Sequence, residues 1–70
     1  MMAMEITLNG ERTRTAAATV RALLDEQAID AEARGVAVAL NDAVVPRSAW
    51  STTALSAGDA IEIVKPFRGG

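Results

Sequence analysis

The apolar residues of this chain change their spacing twice, and that change limits the fold more than any other feature. From Met4 to Leu8, apolar Met4, Ile6 and Leu8 alternate with Glu5 and Thr7, the two-residue period of a strand with one buried face. Val20, Leu23, Leu24 and Ala28 then fall at i, i+3, i+4 and i+8, which puts them on one helical stripe with Thr19 placed to cap it. The two-residue period returns in AIEIV, where Ile61 and Ile63 alternate with Glu62. A chain that must bury one face of strands at both ends and one face of a helix between them has to lay the helix on a sheet.

Turn chemistry divides the remainder. Asn9-Gly10 favours the positive backbone angles of a two-residue hairpin, so Glu11 to Ala16 is the returning strand, and its few apolar residues place it at a sheet edge. Asp30 to Arg34 is polar and helix-tolerant, and Gly35 stops it before VAVAL, residues 36–40, an apolar run expected to be a central buried strand. Asn41-Asp42 marks a second turn, Ala43 to Val45 a short strand, and Pro46 its end, because proline cannot donate to a ladder. Residues 47–58 carry neither period and read as a packed loop with a helical turn, in which Trp50 and Leu55 plug an edge of the core. Gly58-Asp59 turns the chain into its last strand. The order of elements predicts an α+β fold: a mixed sheet of four to five strands with one main helix on one face. Residues 1–65 form that domain and residues 66–70 a tail ending Gly-Gly, with Met1 to Ala3 read as an alternative start or an expression remnant and left out of the fold. The expected core is Ile6, Leu8, Leu23, Leu24, Val36, Val38, Ile61 and Ile63.

Composition removes whole classes of function. Seventy residues bury only about 60% of the surface the unfolded chain exposes, so the core is thin and a deep enclosed active site is not expected. The chain has no cysteine and no histidine, which takes away the commonest metal ligands, the usual general base and both Ser-His and Cys-His nucleophiles, and no metal site is predicted. Seven Lys+Arg against nine Asp+Glu, without runs, argue against a phosphate-backbone binder, so no nucleic acid partner is expected. No apolar run approaches a membrane span and the opening MMAMEITLNG has no signal-peptide pattern, so the chain is read as cytoplasmic, with no membrane partner.

Three stretches are candidates for function. Asp25, Glu26, Asp30 and Glu32 belong to a solvated helix face and are assigned no chemistry. Ser48, Ser51, Thr52 and Thr53 form a hydroxyl cluster without an activating base, better suited to turn and cap bonding. The tail differs. A terminal glycine pair alone reads as a frayed end. Here, however, Pro66 stops sheet pairing, and Phe67 and Arg68 set one apolar and one cationic group before Gly69 and Gly70. Lacking Cβ atoms, those glycines can pass through a slot too narrow for other residues and carry the terminal carboxylate to its far end. An ionised carboxylate is a poor electrophile, so it would need activation by a partner, and the domain would be a substrate or carrier.

The run NDAVVPRSAWSTTALSAGDAIEIVKPFRGG, residues 41–70, resembles the C-terminal half of the sulfur-carrier proteins of thiamine (thiazole) biosynthesis, a ubiquitin-like β-grasp family. VPRSAW (45–50), TTAL (52–55), GD (58–59), IEIV (61–64) and the terminal Gly-Gly carry the resemblance, with LNGE (8–11), ATVRALL (18–24) and VAVALN (36–41) in support. The resemblance implies that a partner adenylating enzyme, related to ubiquitin-activating enzymes, uses ATP to adenylate the C-terminal carboxylate. A sulfur-donating enzyme then supplies sulfur to form a thiocarboxylate, and a thiazole synthase receives it. Carried over, Gly70 bears the thiocarboxylate, Gly69 shares the narrow channel, and Phe67 and Arg68 line its mouth. The chain itself would be no enzyme and would bind no cofactor. Phe67-Arg68 departs from the smaller or more glycine-rich tails of many relatives and resembles the Arg-Gly-Gly of ubiquitin. Two alternatives remain open at this level: the small sulfur-carrier subunit of molybdopterin synthase, and a ubiquitin-like conjugation or interaction module.

Overall fold

The computed structural model describes residues 3–66. Five strands form one mixed sheet: β1 (Met4–Leu8), β2 (Glu11–Thr15), β3 (Ala37–Leu40), β4 (Ala43–Val45) and β5 (Ala60–Val64). One helix, α1 (Val20–Glu26), covers a face of it, and a single 3-10 turn spans Arg47–Ala49. The spatial order is β2-β1-β5-β3-β4. β1 and β5 run parallel and every other neighbouring pair is antiparallel. The α+β reading holds, with β2 at an edge as its polar composition predicts. The centre, however, belongs to β5 rather than to VAVAL, because parallel pairing inserts the last strand between β1 and β3.

Both hairpins turn through two left-handed residues, Asn9 and Gly10 (φ 51° and 82°) and Asn41 and Asp42 (φ 49° and 70°). Such a pair matches the right-handed twist of the strands it joins, and it sets Leu8 opposite Glu11 and Leu40 opposite Ala43. Each asparagine then does more than turn. The Asn9 N–H donates to the Ile61 carbonyl at 2.9 Å and its Oδ1 accepts from the Ile63 N–H at 2.8 Å. The Asn41 N–H donates to the Ala60 carbonyl at 2.7 Å and its Oδ1 accepts from the Ala60 N–H at 2.9 Å. β5 is thereby bonded beyond the reach of the strands beside it.

The helix begins as its sequence predicts: Thr19 is extended, and its hydroxyl oxygen accepts from the Ala22 N–H at 3.1 Å. Its end comes earlier than the apolar stripe suggests. Ala28 lies in the left-handed region at φ 59°, its N–H donates to the Asp25 carbonyl at 3.1 Å, and the Ile29 N–H donates to the Leu24 carbonyl at 2.9 Å. That pair of bonds is a Schellman closure, normally built on glycine. Ala28 is therefore exposed rather than part of the stripe, and residues 30–34 form turns instead of a continuing helix.

Glu26 corrects a second expectation. Instead of facing only water, its carboxylate accepts the Thr15 hydroxyl at 2.5 Å and the Ala16 N–H at 3.1 Å, tying the end of the helix to the end of β2. Thr15, buried, also accepts the Ala17 N–H at 2.9 Å. Asp25 pairs with Arg21 at 3.4 Å on the exposed face. Asp30 caps its own turn by accepting the Glu32 N–H at 2.9 Å.

Between helix and sheet lie Ile6, Val20, Leu23, Leu24, Val38, Ile61 and Ile63, with Leu23 and Leu24 wholly enclosed. Burial of each such side chain contributes about 1.5–3 kcal/mol. Leu8, expected in this set, is only half-buried where β1 runs out into its turn. Trp50 is buried as expected, and its indole N–H donates to the Val45 carbonyl at 2.9 Å. The Arg47 guanidinium stacks 4.7 Å from its ring centroid and donates to the Ala31 and Ala33 carbonyls, latching the segment after the helix onto the 3-10 turn.

Two substitutions test this account by thermal unfolding. Trp50→Ala is expected to lower stability by about 3–5 kcal/mol, because it opens a cavity and frees the Val45 carbonyl and the Arg47 latch. Ala28→Gly is expected to raise it by about 0.5–1 kcal/mol, since the left-handed cost of alanine exceeds the extra chain entropy of glycine. An unchanged midpoint in either variant would contradict the corresponding contact.

Candidate functional site

All four residues singled out in the tail, Phe67, Arg68, Gly69 and Gly70, lie outside the described residues. The structure defines instead the platform from which that tail departs. β5 is fastened on one side by its ladder to β3, which ends in the pair Ala37–Val64, and on the other by the Asn9 side chain at Ile63. Lys65 and Pro66 follow, both exposed.

Pro66 cannot extend the ladder because it has no N–H. Its ring rests against Gly35 instead: a Cβ built on Gly35 would stand 3.2 Å from the Pro66 Cβ, 3.6 Å from Cγ and 3.7 Å from Cδ. Gly35 itself adopts φ +86°, a conformation that side-chain-bearing residues rarely take. Beside this contact an open groove of about 350 Å³ is lined by Ala28, Ile29, Ala33, Val36, Asp30 and Lys65 as well as by Pro66.

The sheet face turned away from the helix divides into two chemistries. Ala39 opposes Val44 on β4 and Glu62 on β5, and Ala37 opposes Val64; the small apolar residues make a patch next to the tail root, interrupted by Glu62, with Val44 79% and Val64 61% exposed. Toward β2 the face is charged, with Arg12 opposite Thr7 and Arg14 opposite Glu5. The apolar side chains of the patch can only be covered by another surface, and Glu62, opposite Ala39, sets one exposed carboxylate among them.

In the hydroxyl cluster, Ser48 and Ser51 are exposed. The Thr52 and Thr53 hydroxyls donate to the Ala49 carbonyl at 3.3 and 2.7 Å, the turn bonding their sequence predicts. Among the described residues, every buried side-chain nitrogen and oxygen has a hydrogen-bond partner, and no three His, Cys, Asp or Glu side chains come together. No helix among them is long and apolar enough to cross a membrane. Sequence reasoning missed Asn9 and Gly35 as parts of the platform. Their signals, Asn-Gly before a charged strand and glycine before an apolar run, identify turns without revealing what lies across from them.

Comparison with known proteins agrees with this geometry. The ThiS family model matches residues 4–70. A thiazole synthase of Paramagnetospirillum magneticum is 43% identical over 68 residues, covering 96% of this chain; the chain spans only 20% of the length of that relative. The crystal structure of the thiamine biosynthesis protein ThiS from Geobacter metallireducens is similar with a TM-score of 0.76 and 34% identity, over 96% of this chain and all of that one. A solution structure of a thiamine biosynthesis protein from the same organism gives a TM-score of 0.78 and 33% identity, over 96% of this chain and 88% of that one. The five-stranded mixed sheet with one helix is thus the β-grasp fold of those structures.

Asn9 offers a direct test of the platform. Asn9→Ala and Asn9→Gly both leave the Ile63 N–H without its acceptor, at a cost of about 1–3 kcal/mol, and the glycine variant is expected to suffer less because it accepts the left-handed turn freely. Amide exchange at Ile63 should accelerate in both; protection equal to wild type would show that the side-chain bond does not hold β5.

Proposed function

The chain belongs to the ThiS family, and on that footing we propose that it is a sulfur carrier for thiazole formation in thiamine biosynthesis. A partner enzyme activates the Gly70 carboxylate with ATP, releasing pyrophosphate and leaving an acyl adenylate. A sulfur nucleophile delivered by a second enzyme displaces AMP, and the resulting thiocarboxylate gives its sulfur to a thiazole synthase. The observation that carries this reading is the family match through residue 70, which takes in the tail as well as the domain.

The physical division of the molecule supports it. Among the described residues no buried polar side-chain atom is left without a partner, while a fastened strand leads through Lys65 and Pro66 to Phe67, Arg68, Gly69 and Gly70 in the sequence. The chain acts as a protein cosubstrate rather than an enzyme, binds no cofactor of its own, and uses ATP only through its partner. Phe67 is buried in the partner on docking and Arg68 pairs with an acidic group there. Gly69 and Gly70 thread the slot that leads to the reacting centre. The apolar patch of Ala37, Ala39, Val44 and Val64 adjoins the tail root, so a partner that covers it also receives the tail. That a relative named thiazole synthase contains the matching region within one longer chain supports a thiazole synthase as one such partner. A partner that uses ATP is consistent with a working complex in the cytoplasm.

The reading is tested at its reacting atom. Wild type, Gly69→Val and a chain lacking Gly70 are incubated with the adenylating enzyme, ATP and a sulfur source, then measured by intact mass. Wild type should gain the mass of one oxygen-to-sulfur exchange. The deletion retracts the carboxylate by up to about 3.6 Å, and since a displacement of ~1 Å can cost on the order of 100-fold in rate, it should gain none on the same timescale. Gly69→Val should fail likewise with its fold intact. Equal conversion of all three would refute the mechanism, and an adduct to a target amine on wild type would indicate a conjugation module.

A further inference from the structure

The ladder between β3 and β5 has a register in which paired residue numbers have a constant sum: Ala37 with Val64, Val38 with Ile63, Ala39 with Glu62. Continued by two residues, that register sets Gly35 opposite Pro66. These are the residues found in contact, with a Cβ on Gly35 falling 3.2 Å from the Pro66 Cβ. The ladder therefore passes into a side-chain contact at the position where it can no longer be made of hydrogen bonds. Two features hold this junction. Gly35, at φ +86°, immediately precedes Val36, which is buried in the core. Pro66 has its own φ confined near −65° by its ring, so the backbone direction at residue 66 is restricted by covalent geometry and by packing together.

We infer that the Gly35–Pro66 contact aims the tail, making Gly35 and Pro66 positioning residues for the transfer reaction. This rests on the carrier reading above, because only a tail that must enter a partner's slot gains from a fixed point of departure. A chain whose exit is already directed loses less conformational freedom on threading, so the effect belongs to the binding of the tail rather than to the chemical step at its end. The requirement at Gly35 is then twofold: a left-handed backbone, and room for a proline ring where a side chain would otherwise stand.

The decisive variant is Pro66→Gly, which removes both the ring and its restriction on φ at an exposed position outside the core. With full-length chain, the adenylating enzyme and ATP, and pyrophosphate release as the readout, kcat/KM should fall about 5- to 30-fold, the equivalent of ordering one freed residue, with the change in KM and little in kcat. Its unfolding midpoint should match that of wild type. Gly35→Ala forces a Cβ against Pro66 and should also lower kcat/KM; in the double variant the two losses should not add, because the contact is already gone. A Pro66→Gly chain within about twofold of wild type, or losses that add fully, would overturn the inference. In the free protein, nuclear Overhauser contacts between the Gly35 α protons and the Pro66 ring are expected, and their absence would overturn it independently of any partner. A wild-type chain that the enzyme does not turn over would reject the carrier reading itself, a result distinct from a wild type and a Pro66→Gly chain that turn over equally.

Discussion

The structure depends on how β5 is admitted to the middle of the sheet. The last strand must fit between β1 and β3, which the chain has already laid down from opposite directions, and its parallel pairing to β1 covers only Thr7–Ala60 and Leu8–Ile61. Two asparagines make up the shortfall. Asn9 reaches Ile61 through its backbone and Ile63 through its side chain, while Asn41 exchanges bonds with Ala60 at the other end. Both asparagines occupy left-handed turn positions, where their short polar side chains can bond locally at small steric cost. Once β5 is seated, Ile61 and Ile63 complete the floor on which Leu23 and Leu24 pack, and the chain leaves β5 through Lys65 and Pro66.

The parts of this arrangement that were legible in the sequence are those governed by neighbours. Alternation gave β1 and β5, the stripe at Val20, Leu23 and Leu24 gave the helix, and Thr19 announced its own cap. Long-range relations were not legible. Nothing near Glu26 indicates that its carboxylate will bond to Thr15, eleven positions earlier. Ala28 satisfies helical spacing and is a strong helix former, yet it ends the helix, because backbone closure onto Asp25 and Leu24 overrides local propensity. VAVAL reads as the centre because it is the most apolar run, whereas position in the sheet is decided by which strand closes the β1–β3 gap. The candidate site divides the same way: the tail residues are proposed from sequence chemistry alone and lie outside the described residues, while the Gly35–Pro66 contact enters only once the β3–β5 register is known.

The pairing of every buried polar side chain among the described residues has an energetic side. An interior with no unpaired polar side chain among the described residues carries none of the desolvation cost of unpaired buried groups. A domain with so little core could not easily bear such a cost. The Arg47 latch shows the same economy, since one side chain closes two backbone carbonyls and covers the indole of Trp50.

The two outer strands have a bearing on self-association. β2 presents Glu11, Arg12, Thr13 and Arg14 along one margin, and β4 is only three residues long and is followed at once by Pro46. Charge on one margin, and brevity with a following proline on the other, are the means by which natural sheets prevent a second copy from adding to their open backbone. The apolar patch of Val44 and Val64 would otherwise give such a pairing something to bury. Guarded margins leave that patch open to face-on contact while discouraging growth of the sheet into fibrils, so resistance to aggregation rests on β2 and Pro46 as well as on the stability of the core.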